Sequence, residues 1–367
     1  MSSDITLGIV VATALAFDFT NGFHDTANAV AGTISTRALP PRVAVGIAAI
    51  LNFAGAFISL EVAATVGKGI VETSHVTSTV VFAGLIGAIS WNLATWYFGL
   101  PSSSSHALIG GVVGSAFAAA GSGAVQWDGL AEKVLVPAVI APVLALVVAT
   151  VAIVFAYRIV GGRRPGPVGR GYRLGQVVSG SMLSLSHGTN DAQKTMGIIT
   201  LALVAHGDIS ASHFHVPTWV VVSAATAIAL GTYAGGWRII KTMGTRIIKM
   251  DPAQGFVAQG AGAATILAAS HYGYPLSTTH VISGAVMGAG AGKRLSAVRW
   301  GVAGNIAGAW LLTIPASASV GALTYGVTRV FGTGAVGPLV VSILALGLLL
   351  VGFARRVAAG RTLTAEG

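Results

Sequence analysis

The sequence predicts an all-α polytopic membrane protein, an inverted-topology repeat with broken or re-entrant helices and about 10–12 membrane segments. Three observations predict it. Of 367 residues, 54% are hydrophobic and only 9% are charged, against about 25% charged in soluble domains. The basic residues sit in short gaps between long apolar runs, the distribution set by the positive-inside bias. Two different motifs each occur twice, in the same order and at nearly the same separation.

The net charge of +10 does not indicate nucleic acid, because the Lys and Arg residues are dispersed among the loops. No nucleic-acid partner is expected. There is no cysteine, which excludes disulfides, a thiol nucleophile and a Cys-type metal site. Met1–Asp4 carries no basic n-region, so the first apolar segment is expected to remain as a membrane helix rather than to be cleaved. The expected location is the cell (cytoplasmic) membrane, multi-pass, with the lipid bilayer as solvent and a homo-oligomer an open option.

Taken in order, the first apolar segment runs from Ile5 to about Ser35 and is interrupted by Asn21-Gly22, which predicts a broken or kinked helix. Arg37, Pro40-Pro41 and Arg42 form a loop, and residues 43–66 read as a second span. Residues 76–99 make a third span, closed by Gly99-Leu100-Pro101. The Gly/Ala-rich run after Ser105-His106 ends near Ala120. It falls short of the roughly 20 residues a crossing needs, so it is expected as one arm of a re-entrant hairpin. A polar link at 121–133 precedes a span at 134–157. Residues 158–173, with five arginines, divide the chain. Residues 1–157 are then a first membrane repeat, 158–173 a basic cytoplasmic linker, 174–354 a second repeat and 355–367 a cytoplasmic tail. In the second repeat, apolar segments at 174–205, 217–235, 253–272 and 276–291 precede final spans at 300–325 and 335–354. Seventeen of the 21 Lys and Arg fall in alternate loops, which places the N-terminus outside and the C-terminus inside.

The first repeated motif is Asn21-Gly22-Phe23-His24-Asp25-Thr26-Ala27-Asn28, with its copy His187-Gly188-Thr189-Asn190-Asp191-Ala192-Gln193-Lys194. A carboxylate inside an apolar segment is expensive and marks function. The second motif is Pro101-Ser102-Ser103-Ser104-Ser105-His106, copied as Pro275-Leu276-Ser277-Thr278-Thr279-His280. The copies lie 166 and 174 residues apart, with an odd number of segments between them, so the halves are expected to run in opposite senses.

Proline followed by Ser or Thr starts helices. Ser103, Ser104, Ser105, Ser277, Thr278 and Thr279 would aim hydroxyls and first-turn N–H groups at one spot, a donor cage that suits a compact oxyanion. Ordinary helix caps are the bland alternative. Asp25 and Asn28 share a helix face and can ligate a small cation or hold a proton. Asp191 pairs with Lys194 at the same spacing, so an ammonium replaces a second bound cation and the coupling ion leans to H⁺ over Na⁺. A structural ion pair is the competing reading. Asp25 and Asp191 can also accept the hydroxyls of a protonated oxyanion, which favours phosphate over sulfate. His24 is a relay candidate or a satisfied bundle histidine. His106, His280, His187 and Asn190 are expected behind the ligand-contacting groups. Asp18 is either pore-lining or a local cap, and Asn52, Asn92 and Asn305 are read as ties between helices.

These residues resemble the inorganic phosphate transporter (PiT) family. The duplicated Gly22–Ala29 and Gly188–Lys194 signatures carry the resemblance, together with the two Pro–Ser/Thr–His elements, over nearly the whole chain. It implies secondary active uptake of inorganic phosphate. Asp25, Asn28 and Asp191 would lie in the ion and substrate region, and the Ser/Thr runs would form the phosphate cage. The His24-Asp25 and Asp191–Lys194 forms look like the proton-coupled bacterial branch, which carries neutral metal–phosphate complexes, a resemblance that implies Mg²⁺ or Ca²⁺ travelling with the substrate; no cofactor is implied. Relatives coupled to Na⁺ have Asn where Lys194 stands, and sulfate carriers also exist in the family. Two other classes compete: an intramembrane Ser/His enzyme, disfavoured because adjacent Ser105 and His106 diverge on a helix, and an anion channel.

Overall fold

A computed structural model describes residues 2–332 and 334–347. Among them there is no strand, only an isolated bridge between Val71 and Val125. The helices are α1 (Ser2–Ser35), α2 (Pro41–Gly55), α3 (Glu61–Lys68), α4 (Ser78–Phe98), α5 (Ser104–Ala120), α6 (Trp127–Leu130), α7 (Val136–Val160), α8 (Pro165–His206), α9 (Thr218–Ala234), α10 (Trp237–Lys241), α11 (Pro252–His271), α12 (Thr278–Ala291) and α13 (Trp300–Val330). A further apolar helix covers Val336–Gly347. The rest of the last expected span and the tail lie outside the described residues.

Four helical stretches are long and apolar enough to cross a membrane: Ser3–Ser35, Ser78–Phe98, Trp127–Val160 and Trp300–Val330. A fifth counts if α9 and Trp237–Arg246, bent by 60°, are one broken span. The outward faces of α7 and α13 are apolar, with Val139, Ile140, Val143, Leu311, Leu312 and Leu323 exposed, as hydrocarbon requires. At 42 residues, α8 is about 63 Å long, twice the thickness of a ~30 Å hydrocarbon core.

The two halves correspond helix for helix. In each, a long helix is followed within two residues by a glycine with positive φ, Gly99 (66°) and Gly273 (71°), a conformation open to glycine without steric cost. Two residues on comes Pro101 or Pro275, and two further on a serine caps the next helix. Ser103 Oγ accepts the His106 N–H at 3.0 Å, and Ser277 Oγ accepts the His280 N–H at 3.2 Å. Both short helices thus start where the Pro–Ser/Thr pattern predicts.

The buried apolar residues form two clusters, and the halves pass through them in opposite order. α1 gives Val10, Ala14 and Phe17 to the first cluster and Ala27 to Ala31 to the second. α8 gives Leu183 to the second and Ala192 to Leu203 to the first. α5 runs into the first cluster and α12 into the second, so the two leave a common starting point in opposite directions. This is the inverted repeat, and the polar motif segments of α1 and α8 lie between the clusters.

Each half is completed by the other. α1 packs on α9, α8 on α2, α5 on α13 and α12 on α7. The expected break at Asn21-Gly22 is absent: α1 is continuous. Gly22 serves packing instead, since a Cβ there would overlap the Ile228 carbonyl of α9. Its counterpart Gly188 meets the Asn52 carbonyl of α2 in the same way.

Three other expectations need correction. Residues 43–66 are not one span but α2 and α3, because Ala56 to Leu60 turn out of the helix. The link expected to end at residue 133 is helical from Trp127. The basic stretch 158–173 is mostly helix end: only Gly161 to Arg164 separate α7 from α8. Pro165 stands in the first turn of α8, where its missing N–H has no partner to lose.

Candidate functional site

Between the two apolar clusters, α1, α8 and the starts of α5 and α12 converge. The structure brings together Asp25, Asn28, Asp191, Lys194, Ser105, Thr278 and Thr279. Every one of them is at most 3% exposed, so the site is closed to solvent on both sides.

On the α8 side, Lys194 Nζ donates to three oxygens: Asp191 Oδ1 at 2.5 Å, Ser105 Oγ at 2.5 Å and the Leu276 carbonyl at 2.7 Å. Carboxylate, hydroxyl and carbonyl are the ligand types a small hard cation takes, and here the ammonium holds that position. Asp191 Oδ2 accepts from Thr278 Oγ1 at 3.3 Å and lies 3.1 Å from His187 Nε2. Ser105 Oγ also reaches the Leu276 carbonyl at 3.1 Å.

On the α1 side, Asp25 Oδ1 accepts from Thr279 Oγ1 at 3.3 Å and lies 2.7 Å from His24 Nδ1. Asn28 Nδ2 donates to Thr279 Oγ1 at 2.9 Å and to Thr278 Oγ1 at 3.3 Å, while its own Oδ1 has no partner. One motif aspartate from each half therefore receives a hydroxyl from the start of α12. Asp25, His187 and Asp191 each offer a ligand atom within 4.8 Å of the others, a set able to hold a metal ion.

The remaining candidates fall around this centre. Ser103 and Ser277 spend their oxygens capping helices. Ser104 Oγ lies 3.4 Å from His24 Nδ1. Asn190 is a tie, donating to Ser270 Oγ at 2.8 Å and the Tyr274 carbonyl at 3.1 Å. The His106 and His280 rings meet edge to face at 4.7 Å, and His280 stacks on Trp310 at 4.0 Å. Neither bonds a motif carboxylate; they line a largely apolar cleft of about 670 Å³ between α7 and α13. Asn52 joins the halves as expected, donating to Thr232 Oγ1 at 2.7 Å and lying 3.2 Å from His187 Nδ1. Asn305, by contrast, is exposed.

Sequence reasoning missed three participants. Thr95 Oγ1 and Ser102 Oγ lie 3.1 and 3.4 Å from His24 Nε2 and 2.8 Å from each other. Ser102 was visible as the first serine after Pro101, but Thr95 had no signal. The Leu276 carbonyl is backbone, which residue identity cannot flag.

A buried polar layer shared by two inverted halves of a polytopic helical bundle is the arrangement of a multi-pass membrane transporter. The chain belongs to the phosphate transporter family, which matches residues 21–321. It is 54% identical over 324 residues to a probable low-affinity inorganic phosphate transporter of Mycobacterium tuberculosis (strain ATCC 25618 / H37Rv), covering 88% of this chain and 78% of that one. Similar proteins of the same description occur in Rhizobium meliloti (50% identity; 86% and 94% covered) and Bacillus subtilis (45%; 86% and 95%). Among solved structures, one described as the sodium-dependent phosphate transporter superposes with a TM-score of 0.80 at 26% identity, covering 89% of this chain and 99% of that one.

Proposed function

We propose that this transporter imports inorganic phosphate by symport with H⁺, through alternating access around the Asp25–Asp191 layer. The observation that carries the reading is Lys194 Nζ, seated on three oxygens. A built-in ammonium fills the place where a sodium ion would otherwise neutralise Asp191. On the other half, His24 Nδ1 lies 2.7 Å from Asp25 Oδ1, a histidine–carboxylate pair of the kind that relays protons.

The anion would sit against the starts of α5 and α12. Hydroxyls of Ser104, Ser105, Thr278 and Thr279 would donate to its oxygens, as would the first-turn N–H groups that no helix carbonyl can reach. Ser103 and Ser277 hold those helix starts in place. Lys194 would exchange Ser105 or Leu276 for a phosphate oxygen, keeping its charge paired. A phosphate hydroxyl would donate to Asp25 or Asp191; sulfate, with no proton at neutral pH, has nothing to give them. Asp25, His187 and Asp191 support entry of phosphate with Mg²⁺ or Ca²⁺.

A second reading, Na⁺ coupling, has one observation in its favour: Asp25 and Asn28 form an oxygen pair with no lysine beside it, and Asn28 Oδ1 lacks a partner. Labelled phosphate uptake into proteoliposomes separates the two. Accumulation under an inward pH gradient, insensitive to sodium and sulfate, is expected. Accumulation under a sodium gradient alone overturns the proton assignment, and transport of labelled sulfate overturns the choice of anion.

A further inference from the structure

One buried carboxylate has no part in the site above. Asp18, two turns before Asp25 on α1, is fully buried, and neither of its oxygens has a hydrogen-bond partner. Two more buried polar side chains adjoin it, Asn21 and Thr195, 1% and 0% exposed, and Asn21 Oδ1 and Thr195 Oγ1 are also without a partner. Four unsatisfied oxygens on three buried side chains are rare in a folded interior, where polar groups are paired or bind something.

We propose that Asp18, Asn21 and Thr195 form a proton-binding site, separate from the phosphate cage, that carries the coupling H⁺. This rests on the proton-symport reading above. An ionised Asp18 would have only neutral groups beside it, the Thr195 hydroxyl and the Asn21 amide, and no cation of its own to pair with. Protonation turns one Asp18 oxygen into a donor, for which Asn21 Oδ1 and Thr195 Oγ1 are acceptors. Buried charges are otherwise paired, and Asp18 has no partner because Lys194 is committed to Asp191.

The surrounding charges explain how the proton couples to the anion. From α8, Asp191 and Lys194 act on Asp18. On α1 itself His24 and Asp25 are paired with each other. α4 and α9, packed on α1, carry no Asp, Glu, His, Lys or Arg. On the other helices that touch α1, Arg42 of α2, Arg238 and Lys241 of α10 and His271 of α11 are exposed, and His106 and His280 face each other. His206 of α8 lies against Asp4 near the start of α1, and His187 lies 3.1 Å from Asp191, so the local field is set by the Asp191–Lys194 pair with His187 beside it. An anion arriving at Lys194 makes that field more negative and favours H⁺ on Asp18. By reciprocity, H⁺ on Asp18 favours the anion, and this mutual preference is what symport requires.

The test compares wild type, Asp18→Asn and Thr195→Val in proteoliposomes, reading three quantities. These are accumulation of labelled phosphate under an inward pH gradient, acidification of the lumen, and phosphate–phosphate exchange at equal pH, which moves no net proton. One pH unit and one proton per phosphate drive accumulation of about 10-fold in wild type. Asp18→Asn is expected to retain exchange while losing accumulation and acidification, and Thr195→Val to displace the pH of half-maximal accumulation. Asp18→Asn that accumulates like wild type overturns the proposal, as does folded Asp18→Asn that loses exchange too. If Asp18→Asn does not fold, an unmoved pH profile in Thr195→Val overturns it. If wild type itself ignores the pH gradient, the proton-symport reading fails first.

Discussion

Lys194 of the second half bonds Ser105 of the first, with 2.5 Å between Nζ and Oγ. The bond spans the junction of the two repeats, and the ammonium at its centre also neutralises Asp191. Lys194→Asn removes that charge and leaves a buried carboxylate uncompensated, which costs about 3–5 kcal/mol. The expected outcome is a variant with a lower melting temperature that NaCl restores more than choline chloride does. Its phosphate uptake becomes sodium-dependent. Equal rescue by both salts, with unchanged ion dependence, would remove Lys194 from the coupling mechanism.

Asp25→Asn keeps the shape of the α1 motif but removes the charge that faces His24 and Thr279. Membrane insertion and melting are expected to stay close to wild type, while phosphate accumulation is abolished. Accumulation against a gradient by this variant would show that Asp25 is structural.

The hydroxyls of Ser105 and Thr279 touch the two motif pairs from opposite helices. Each hydrogen bond to a charged group contributes about 1.5–3 kcal/mol, so Ser105→Ala and Thr279→Ala should each raise KM for phosphate roughly 10- to 100-fold. Ser103→Ala, which loses a cap rather than a ligand contact, should instead lower stability by about 1 kcal/mol. Thermal melts and uptake kinetics on the same preparations separate these effects.

Gly22 and Gly188 bring α1 against α9 and α8 against α2 with no room for a Cβ. Gly22→Val and Gly188→Val force backbone shifts costing about 1–3 kcal/mol or more. Both should reduce the yield of folded protein in detergent, whereas Gly8→Val, where a Cβ meets nothing within 4 Å, should not.

Asp251, in the loop before α11, accepts the Gln254 N–H and the Tyr157 hydroxyl and pairs with Lys293 at 3.0 Å. Burial pushes its carboxyl up, but these hydrogen bonds and the Lys293 charge outweigh burial and hold it below the usual carboxylate range. Its folded value is thus depressed relative to the unfolded chain, so its contribution is present at neutral pH and lost as pH falls through the depressed value. Melting temperature should fall on acidification less steeply in Asp251→Asn than in wild type.

Much of this was legible because the chemistry is local and repeated. Two aspartates inside apolar helices, and two Pro–Ser/Thr runs at matching separations, gave both the halves and the residues that meet between them. The serine caps followed from proline and hydroxyl chemistry over four residues. What stayed hidden depends on the partner helix. Nothing in α1 indicates that it packs on α9 rather than α2, so Asn21-Gly22 read as a break when Gly22 is a crossing point. Thr95, the Leu276 carbonyl and the isolation of Asp18 are likewise properties of the neighbours. The span at 43–66 misled because hydropathy continues through the turn from Ala56 to Leu60, where the helix does not.

The most direct test of proton-driven phosphate import is a simultaneous record of lumenal pH and labelled phosphate in proteoliposomes, at symmetric sodium with an imposed inward pH gradient. The account predicts lumenal acidification that begins with added phosphate, scales with its uptake and is unaffected when sodium is replaced by choline. Phosphate entry without acidification, or entry that stops when sodium is withdrawn, would contradict it.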